Sequence, residues 1–165
     1  MQRILILGPP GSGKSTVARV VGKITELPVI HLDQHYWQPG WVEIDHTQWR
    51  QKITELIASP TWIIDGNYSG TLDKRLALAD TLILLDVPRW KCLLRILWRS
   101  LWWLGRTRND MTPGCVERLN WDFLEYAWHF HSREWPIIFE IFQSFKGHKF
   151  RVRMQQDIKA ILSSL

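Results

Sequence analysis

Cysteine is scarce: Cys92 and Cys115 are the only two in 165 residues. Their separation is not that of metal ligands, which excludes a disulfide scaffold and points to a reducing compartment. Long hydrophobic runs are missing too. No apolar stretch approaches the ~18 residues of a membrane span. At the start, four apolar residues run straight into a glycine-rich loop, which is not the layout of a secretory signal peptide. Internal repeats, low-complexity tracts and linker-like stretches are absent as well. Hydrophobic residues make up 45% of the chain, which excludes disorder as a description of the whole. The expectation is one domain over residues 1–165, cytoplasmic, monomer or dimer.

What is plentiful is tryptophan, with 11 residues concentrated in the middle and later chain. They need a thick core or a large apolar ligand surface. The charge balance is +5, from 21 basic against 16 acidic side chains, which suits anionic ligands, either nucleotides or nucleic acid.

One stretch has a specific chemical meaning. Gly8, Pro9, Pro10, Gly11, Ser12, Gly13, Lys14, Ser15 and Thr16 fit the phosphate-binding pattern Gly-x-x-x-x-Gly-Lys-Ser/Thr at every fixed position. The preceding apolar run reads as a strand and residues 15–24 as a helix. The glycines let the backbone turn tightly and aim several N–H groups at one point. The helix adds the positive end of its dipole. Lys14 supplies a mobile charge for the outer phosphates, and Ser15 a hydroxyl for Mg²⁺.

Four further strands are predicted, over residues 29–32, 61–64, 81–85 and 148–152, with helices between them. Asp45 is placed to cap a helix through Trp49, Ile53 and Ile57, and Thr71 to cap one ending at Leu78. Pro88 opens a long helix to about residue 104. Residues 119–145 are helical by period, with a break at Pro136. A closing helix is read over 155–162. Alternation of strand and helix makes the fold class α/β, with a parallel sheet and helices on both faces.

In such sheets ligands gather beyond the carboxyl ends of the strands. Asp33, Asp65 and Asp86 stand at three such ends. Function is favoured for Asp33 and Asp65. For Asp86, turn capping and function are equally good accounts. Lys91, Arg95 and Arg99 recur at i, i+4, i+8, and a solvated helix face is the expected role of Lys91 and Arg95. The same helix carries Trp90, Trp98, Trp102 and Trp103. Such a helix can lie on a membrane surface, but core packing with a charged outer edge is the expectation. Arg106 and Arg108 lie in a glycine-punctuated loop, suited to closing on phosphates. His31 and His35 bracket Asp33, yet no fourth ligand is near, so no structural metal is expected.

On these residues the chain resembles the adenylate-kinase-like P-loop phosphotransferases, and among them the bacterial topology-modulation proteins. The phosphate loop, His31-Leu32-Asp33, the 62–68 stretch around Asp65-Gly66-Asn67-Tyr68, the 84–89 stretch, and the 105–119 stretch carry the resemblance. It implies a P-loop three-layer sandwich with a five-stranded sheet in the order 2-3-1-4-5 and a short helical lid at about 105–118. It makes Asp65, with Ser15, the Mg²⁺ partner. It implies that Arg106 and Arg108 close on the phosphates of ATP, that Arg133 reaches the transferred phosphate or the acceptor, and that the Arg153-Met154-Gln155 loop lies against adenine. One departure matters. The Arg that usually follows the third-strand Asp-Gly is replaced by Asn67-Tyr68, the nearest Arg being Arg75, and Arg50 is the only Arg between strands two and three.

A phosphate acceptor would therefore lack its clamp, whereas a hydroxyl acceptor gains from a carboxylate such as Asp33. The reading is an ATP- and Mg²⁺-dependent phosphotransferase with a small-molecule acceptor, narrowly a hydroxyl compound over a nucleoside monophosphate. Lys14, Asp33, Arg106, Arg108 and Arg133 are its catalytic candidates. Asp33, Tyr36, Trp37, Asn67 and Tyr68 would line the acceptor pocket. The alternative is a nucleotide-dependent nucleic-acid-binding or DNA-topology regulatory protein, based on the charge and the aromatics among the Arg residues. Calorimetry with Mg²⁺ present is expected to register association of ATP or GTP. No heat from either nucleotide would end the phosphate-loop reading.

Overall fold

The computed structural model describes residues 1–108, 110–153 and Asp157. Five parallel strands form the central sheet: β1 (Arg3–Leu7), β2 (Val29–His31), β5 (Trp62–Asp65), β6 (Thr81–Leu85) and β7 (His148–Val152). Their order is β2-β5-β1-β6-β7. Two further strands, β3 (Trp37–Gln38) and β4 (Val42–Glu43), make a separate antiparallel hairpin. Counting the sheet strands alone, the order is the expected 2-3-1-4-5, with the hairpin raising the later numbers by two.

The three central strands, β1, β5 and β6, are buried on both faces and read as near-continuous apolar runs, whereas the edge strand β7 exposes His148, Lys149 and Arg151. Alternation then sorts each strand between two cores. Leu5 and Leu7 of β1 join Trp62, Ile64, Leu82 and Leu84 on one face. Ile4 and Ile6 join Ile63, Ile83 and Leu85 on the other. The first face is covered by α3 (His46–Ile57), α4 (Leu72–Leu78), α6 (Trp121–Arg133) and α7 (Trp135–Ser144), through Trp49, Ile53, Leu72, Phe130 and Ile138. The second is covered by α1 (Lys14–Thr25), through Val17, Ala18 and Val21.

Local signals account for most element ends. The Asp45 side chain accepts from the N–H groups of Thr47 and Gln48 and so caps α3. Pro136 falls in the first turn of α7, where a missing N–H costs nothing, so the predicted break separates two helices. After β2 the chain forms α2 (Leu32–Tyr36) and then the hairpin. Thr71 does not cap α4 by its side chain; its hydroxyl returns to the Tyr68 carbonyl. The closing helix read over 155–162 lies outside the described residues, Asp157 apart.

α5 (Arg89–Trp102) follows Pro88 and buries Cys92, Ile96 and Ser100. It lies directly on the phosphate loop. Gly11 has φ +73°, and a Cβ there would lie 2.5 Å from the Cys92 carbonyl oxygen and 2.8 Å from Ile96 Cγ1. Only glycine meets both the backbone angle and the packing.

The expected core role for the α5 tryptophans is overturned. Trp98 and Trp102 are each 70% exposed and Trp90 56%. The core takes Trp49 and Trp62 instead, at 5% and 0%.

A buried cation holds the loop after β5. Arg75 of α4 is fully buried and donates to the carbonyls of Gly66, Asn67, Tyr68 and Thr71. Burial pulls its pKa down to about 10, against the opposing pull of the Asp73 charge. Arg75→Ala should strand several buried carbonyls at about 1–3 kcal/mol each, a total of roughly 3 kcal/mol or more in urea unfolding. A loss below about 1 kcal/mol would mean that the loop does not depend on this side chain.

Candidate active site

The loop after β1 and the loop after β5 are joined because those strands are neighbours, with Ile6 in register with Asp65. Gly8 N–H donates to Asn67 Oδ1 at 3.2 Å, and Asn67 Nδ2 donates to the Gly8 carbonyl at 2.9 Å. Ser15 Oγ donates to Asp65 Oδ2 at 2.8 Å. The other Asp65 oxygen meets His31 Nδ1 at 2.6 Å. Asp65 is only 5% exposed, so this carboxylate is spoken for from two sides. Asn67, expected among the acceptor contacts, has both ends of its amide committed to Gly8. It braces the phosphate loop.

Lys14 folds over the loop and donates to the carbonyls of Gly8 and Pro9, both at 2.9 Å. Burial lowers its pKa, against the opposing pull of Asp33 and Asp65. The loop keeps unmet polar capacity. Ser12 is 4% exposed, and its hydroxyl has no partner. Arg99 Nε is likewise buried and unpartnered. An incoming phosphate would satisfy both, so the residues fit the tail of a nucleoside triphosphate. Among the described residues no cluster of three or more His, Cys, Asp or Glu stands ready for a metal. Mg²⁺ keeps several waters and is held by few protein groups plus phosphate oxygens. Ser15 and Asp65 are the groups that would hold it.

A cavity of about 1130 Å³ opens over the loop. Asp33, Trp37, Trp41, Glu43, Asp65 and Tyr68 wall one side. Asp33 lies in the first turn of α2 and accepts from the Tyr68 hydroxyl at 2.6 Å. Burial and the Asp33 charge raise the Tyr68 pKa, which keeps the phenol protonated and donating. Tyr68 adopts φ +38°, an uncommon angle for a bulky residue. Arg75 on its carbonyl and Asp33 on its hydroxyl hold it there. Tyr36 is not in the cavity wall. Its ring packs 5.1 Å from Trp49 and 4.7 Å from Tyr68, and its hydroxyl donates to Glu43.

The cations differ most from expectation. Arg106 is exposed and does not line the cavity. Arg108 lines it but is buried in an ion pair with Glu117 at 2.9 Å, with Asp110 at 3.4 Å. Arg133 is exposed in the last turn of α6, outside the cavity wall. Arg153 and Arg151 both bond Asp86, at 2.9 and 2.6 Å, which neutralises that strand-end acid. Met154 and Gln155, expected with Arg153 against adenine, lie outside the described residues.

Arg95 and Arg99 take the place foreseen for the loop arginines. The inner edge of α5 turns both into the cavity, where Arg95 Nη1 donates to the Ser12 carbonyl at 3.0 Å. Their i, i+4 spacing was visible in the sequence, but only the packing of α5 on Gly11 aims them inward.

The 105–118 segment is not the short helical lid expected. Its described residues form turns and a bridge between Thr107 and Val116, because Gly105 and Gly114 take left-handed angles and Pro113 breaks the run. It docks on the 34–41 segment. Trp41 Nε1 donates to the Val116 carbonyl at 2.7 Å, Gly40 N–H to that of Gly114, and Thr112 Oγ1 to that of Gln34.

Neither a family model nor a curated protein sequence matches the chain. Solved structures share its fold. A gluconokinase from Sinorhizobium meliloti 1021 matches with TM-score 0.59 and 16% identity, over 99% of this chain and 92% of its own. A shikimate kinase from Bacteroides thetaiotaomicron matches with TM-score 0.60 and 12% identity, over 99% and 95%. At such identities the likeness carries the fold alone. Neither structure is a topology-modulation protein.

The His31–Asp65 pair makes a pH prediction. Burial alone disfavours the imidazolium, but the Asp65 hydrogen bond and charge outweigh it, so the His31 pKa is raised above 6.5. The stability it contributes is fully present below pH 6.5 and is lost as pH rises through the raised value. Without nucleotide or metal, urea midpoints of the protein and of His31→Gln should differ most near about pH 5.5 and converge by about pH 9. A constant gap across that range would show that the charged pair adds no stability.

Proposed function

We propose that this chain is, as a single domain, an ATP-dependent, Mg²⁺-requiring kinase that phosphorylates a hydroxyl group of a small molecule. One observation carries the choice of acceptor. The cavity wall drawn from residues 31–69 contains no Lys or Arg, while it carries Asp33, Glu43, Trp37, Trp41 and Tyr68. Arg75, the nearest arginine to the position that clamps a phosphate acceptor, is fully buried and bonded to backbone carbonyls. Arg50 is exposed and outside the cavity. A nucleoside monophosphate would bring a dianion to a wall whose one cationic group, His31, is already paired with Asp65. A hydroxyl compound would meet a carboxylate able to accept its proton, which is what a weak nucleophile needs. Gluconokinase and shikimate kinase, the proteins that share the fold, are small-molecule kinases by name, and they support the same reading.

The roles follow from placement. The triphosphate supplies the transferable phosphoryl group, and Mg²⁺ neutralises the charge on its oxygens. The loop amides and the Ser12 hydroxyl hold phosphate oxygens. Ser15 and Asp65 hold the metal's side of the site, with His31 orienting Asp65. Lys14 exchanges its two backbone carbonyls for phosphate and follows the developing charge. Arg95 and Arg99 reach in from α5. Asp33 orients the acceptor hydroxyl and takes its proton, and the Tyr68 phenol fixes the angle of that carboxylate. The 105–118 segment closes the acceptor side against water.

A coupled ADP-release screen over sugars, polyols, hydroxy acids, nucleosides and nucleoside monophosphates should find turnover with a hydroxyl compound. With that acceptor, Lys14→Ala should abolish turnover. Arg99→Ala should cost roughly 100-fold in kcat/KM, whereas Arg106→Ala and Arg133→Ala should stay within about threefold. Asp33→Asn should cost about 100-fold or more. Fast turnover with a nucleoside monophosphate that ignores Asp33→Asn would reverse the acceptor assignment.

A further inference from the structure

We propose that the outer face of α5 is a docking surface for a phospholipid bilayer with anionic headgroups. Trp90, Leu94, Trp98 and Leu101 recur at i, i+4, i+8 and i+11, which puts them on one face of the helix. They are 56%, 57%, 70% and 65% exposed, so no described element covers them. Trp102, the last residue of the helix, and Leu104 just beyond it are exposed to a similar degree and prolong the stripe. Scattered apolar residues on a surface are ordinary, but an aligned stripe of this length marks an interaction site. Neither the cavity nor the core uses these side chains. The opposite face, through Cys92 and Ile96, is the one that packs on Gly11.

The charge carried by α5 and the turn after it is of one sign. Between residues 87 and 108 stand Arg89, Lys91, Arg95, Arg99, Arg106 and Arg108, with no Asp or Glu. Arg95, Arg99 and Arg108 are taken by the cavity. Arg89, Lys91 and Arg106 are exposed around the stripe. Two of these cations lie against indole rings: the Arg89 guanidinium 4.4 Å from the Trp128 centroid, and Lys91 Nζ 5.3 Å from that of Trp90.

This composition selects among occupants. A second copy docked through a two-fold axis would set one acid-free basic stretch against another, and the charges would repel. A nucleic acid would use the cations and the rings, but it gives no place to Leu94, Leu101 and Leu104. A bilayer uses all three kinds of group. Indole rings settle at headgroup depth, aliphatic side chains reach the acyl boundary, and cations meet anionic headgroups. No helix among the described residues is long and apolar enough to cross a membrane, so the contact is peripheral.

The test is vesicle flotation of the full chain with phosphatidylcholine alone and with added phosphatidylglycerol. The protein should float with the mixed vesicles, weakly or not at all with the neutral ones, and less at high salt. Trp98→Ser combined with Trp102→Ser should reduce bound protein roughly tenfold while leaving ADP release and thermal unfolding unchanged. Lys91→Glu, which keeps the apolar stripe, should also weaken binding. No flotation, equal flotation with both vesicle types, or flotation indifferent to these substitutions would overturn the proposal. So would a dimer in sedimentation, or an oligonucleotide complex, that the same substitutions abolish.

Discussion

The lateral contact between β1 and β5 is the constraint from which the site follows. Parallel pairing brings two loops to one edge, and the register sets Asp65 opposite the strand that leads into the phosphate loop. The Ser15–Asp65 and Asn67–Gly8 hydrogen bonds follow from that adjacency. The phosphate loop is therefore held from the β5 side before any ligand arrives. Gly11 lets α5 press on it from the other side. A loop fixed in this way presents its amides without reorganising, which is the condition under which they act most strongly on phosphate charge.

A second feature is how the cations are divided between structure and chemistry. Arg75 is spent on loop carbonyls, Arg108 on Glu117, and Arg151 and Arg153 on Asp86. Each is accounted for by partners already in place. Lys14 and Arg99 are different. Among the described residues, Lys14 bonds to carbonyls that phosphate oxygens can replace, and Arg99 has a buried nitrogen without a partner. Lys14 and Arg99 converge on the same cavity, and the cations with finished partners build its frame.

α5 joins both themes. Its inner surface supports the phosphate loop and delivers two arginines, and its outer surface leaves large apolar side chains in solvent. Burying those side chains in a core would require another layer over α5, and none of the described elements supplies one. The tryptophan count that suggested a thick core is thus divided between a modest core, an aromatic cluster around Tyr68, and an open face.

Much of this was legible in the residues. The phosphate-loop pattern with its flanking strand and helix, the apolar run of β6, the Asp45 cap and the break at Pro136 are local features, and local sterics and hydrogen bonding decide them. Asp65 was legible because it ends an apolar run. The use of each side chain was not. Whether Arg95 faces solvent or the loop, whether Asn67 touches an acceptor or braces Gly8, and whether Arg108 is free or bound to Glu117 depend on elements distant in the chain. The same holds for the α5 tryptophans: spacing shows that they share a side, but only tertiary packing determines which side has a neighbour. Sequence by itself determined the elements and the phosphate-binding loop, because those are set within a few residues. Tertiary structure decided which polar groups are already satisfied, because that depends on partners that only the folded sheet brings into reach.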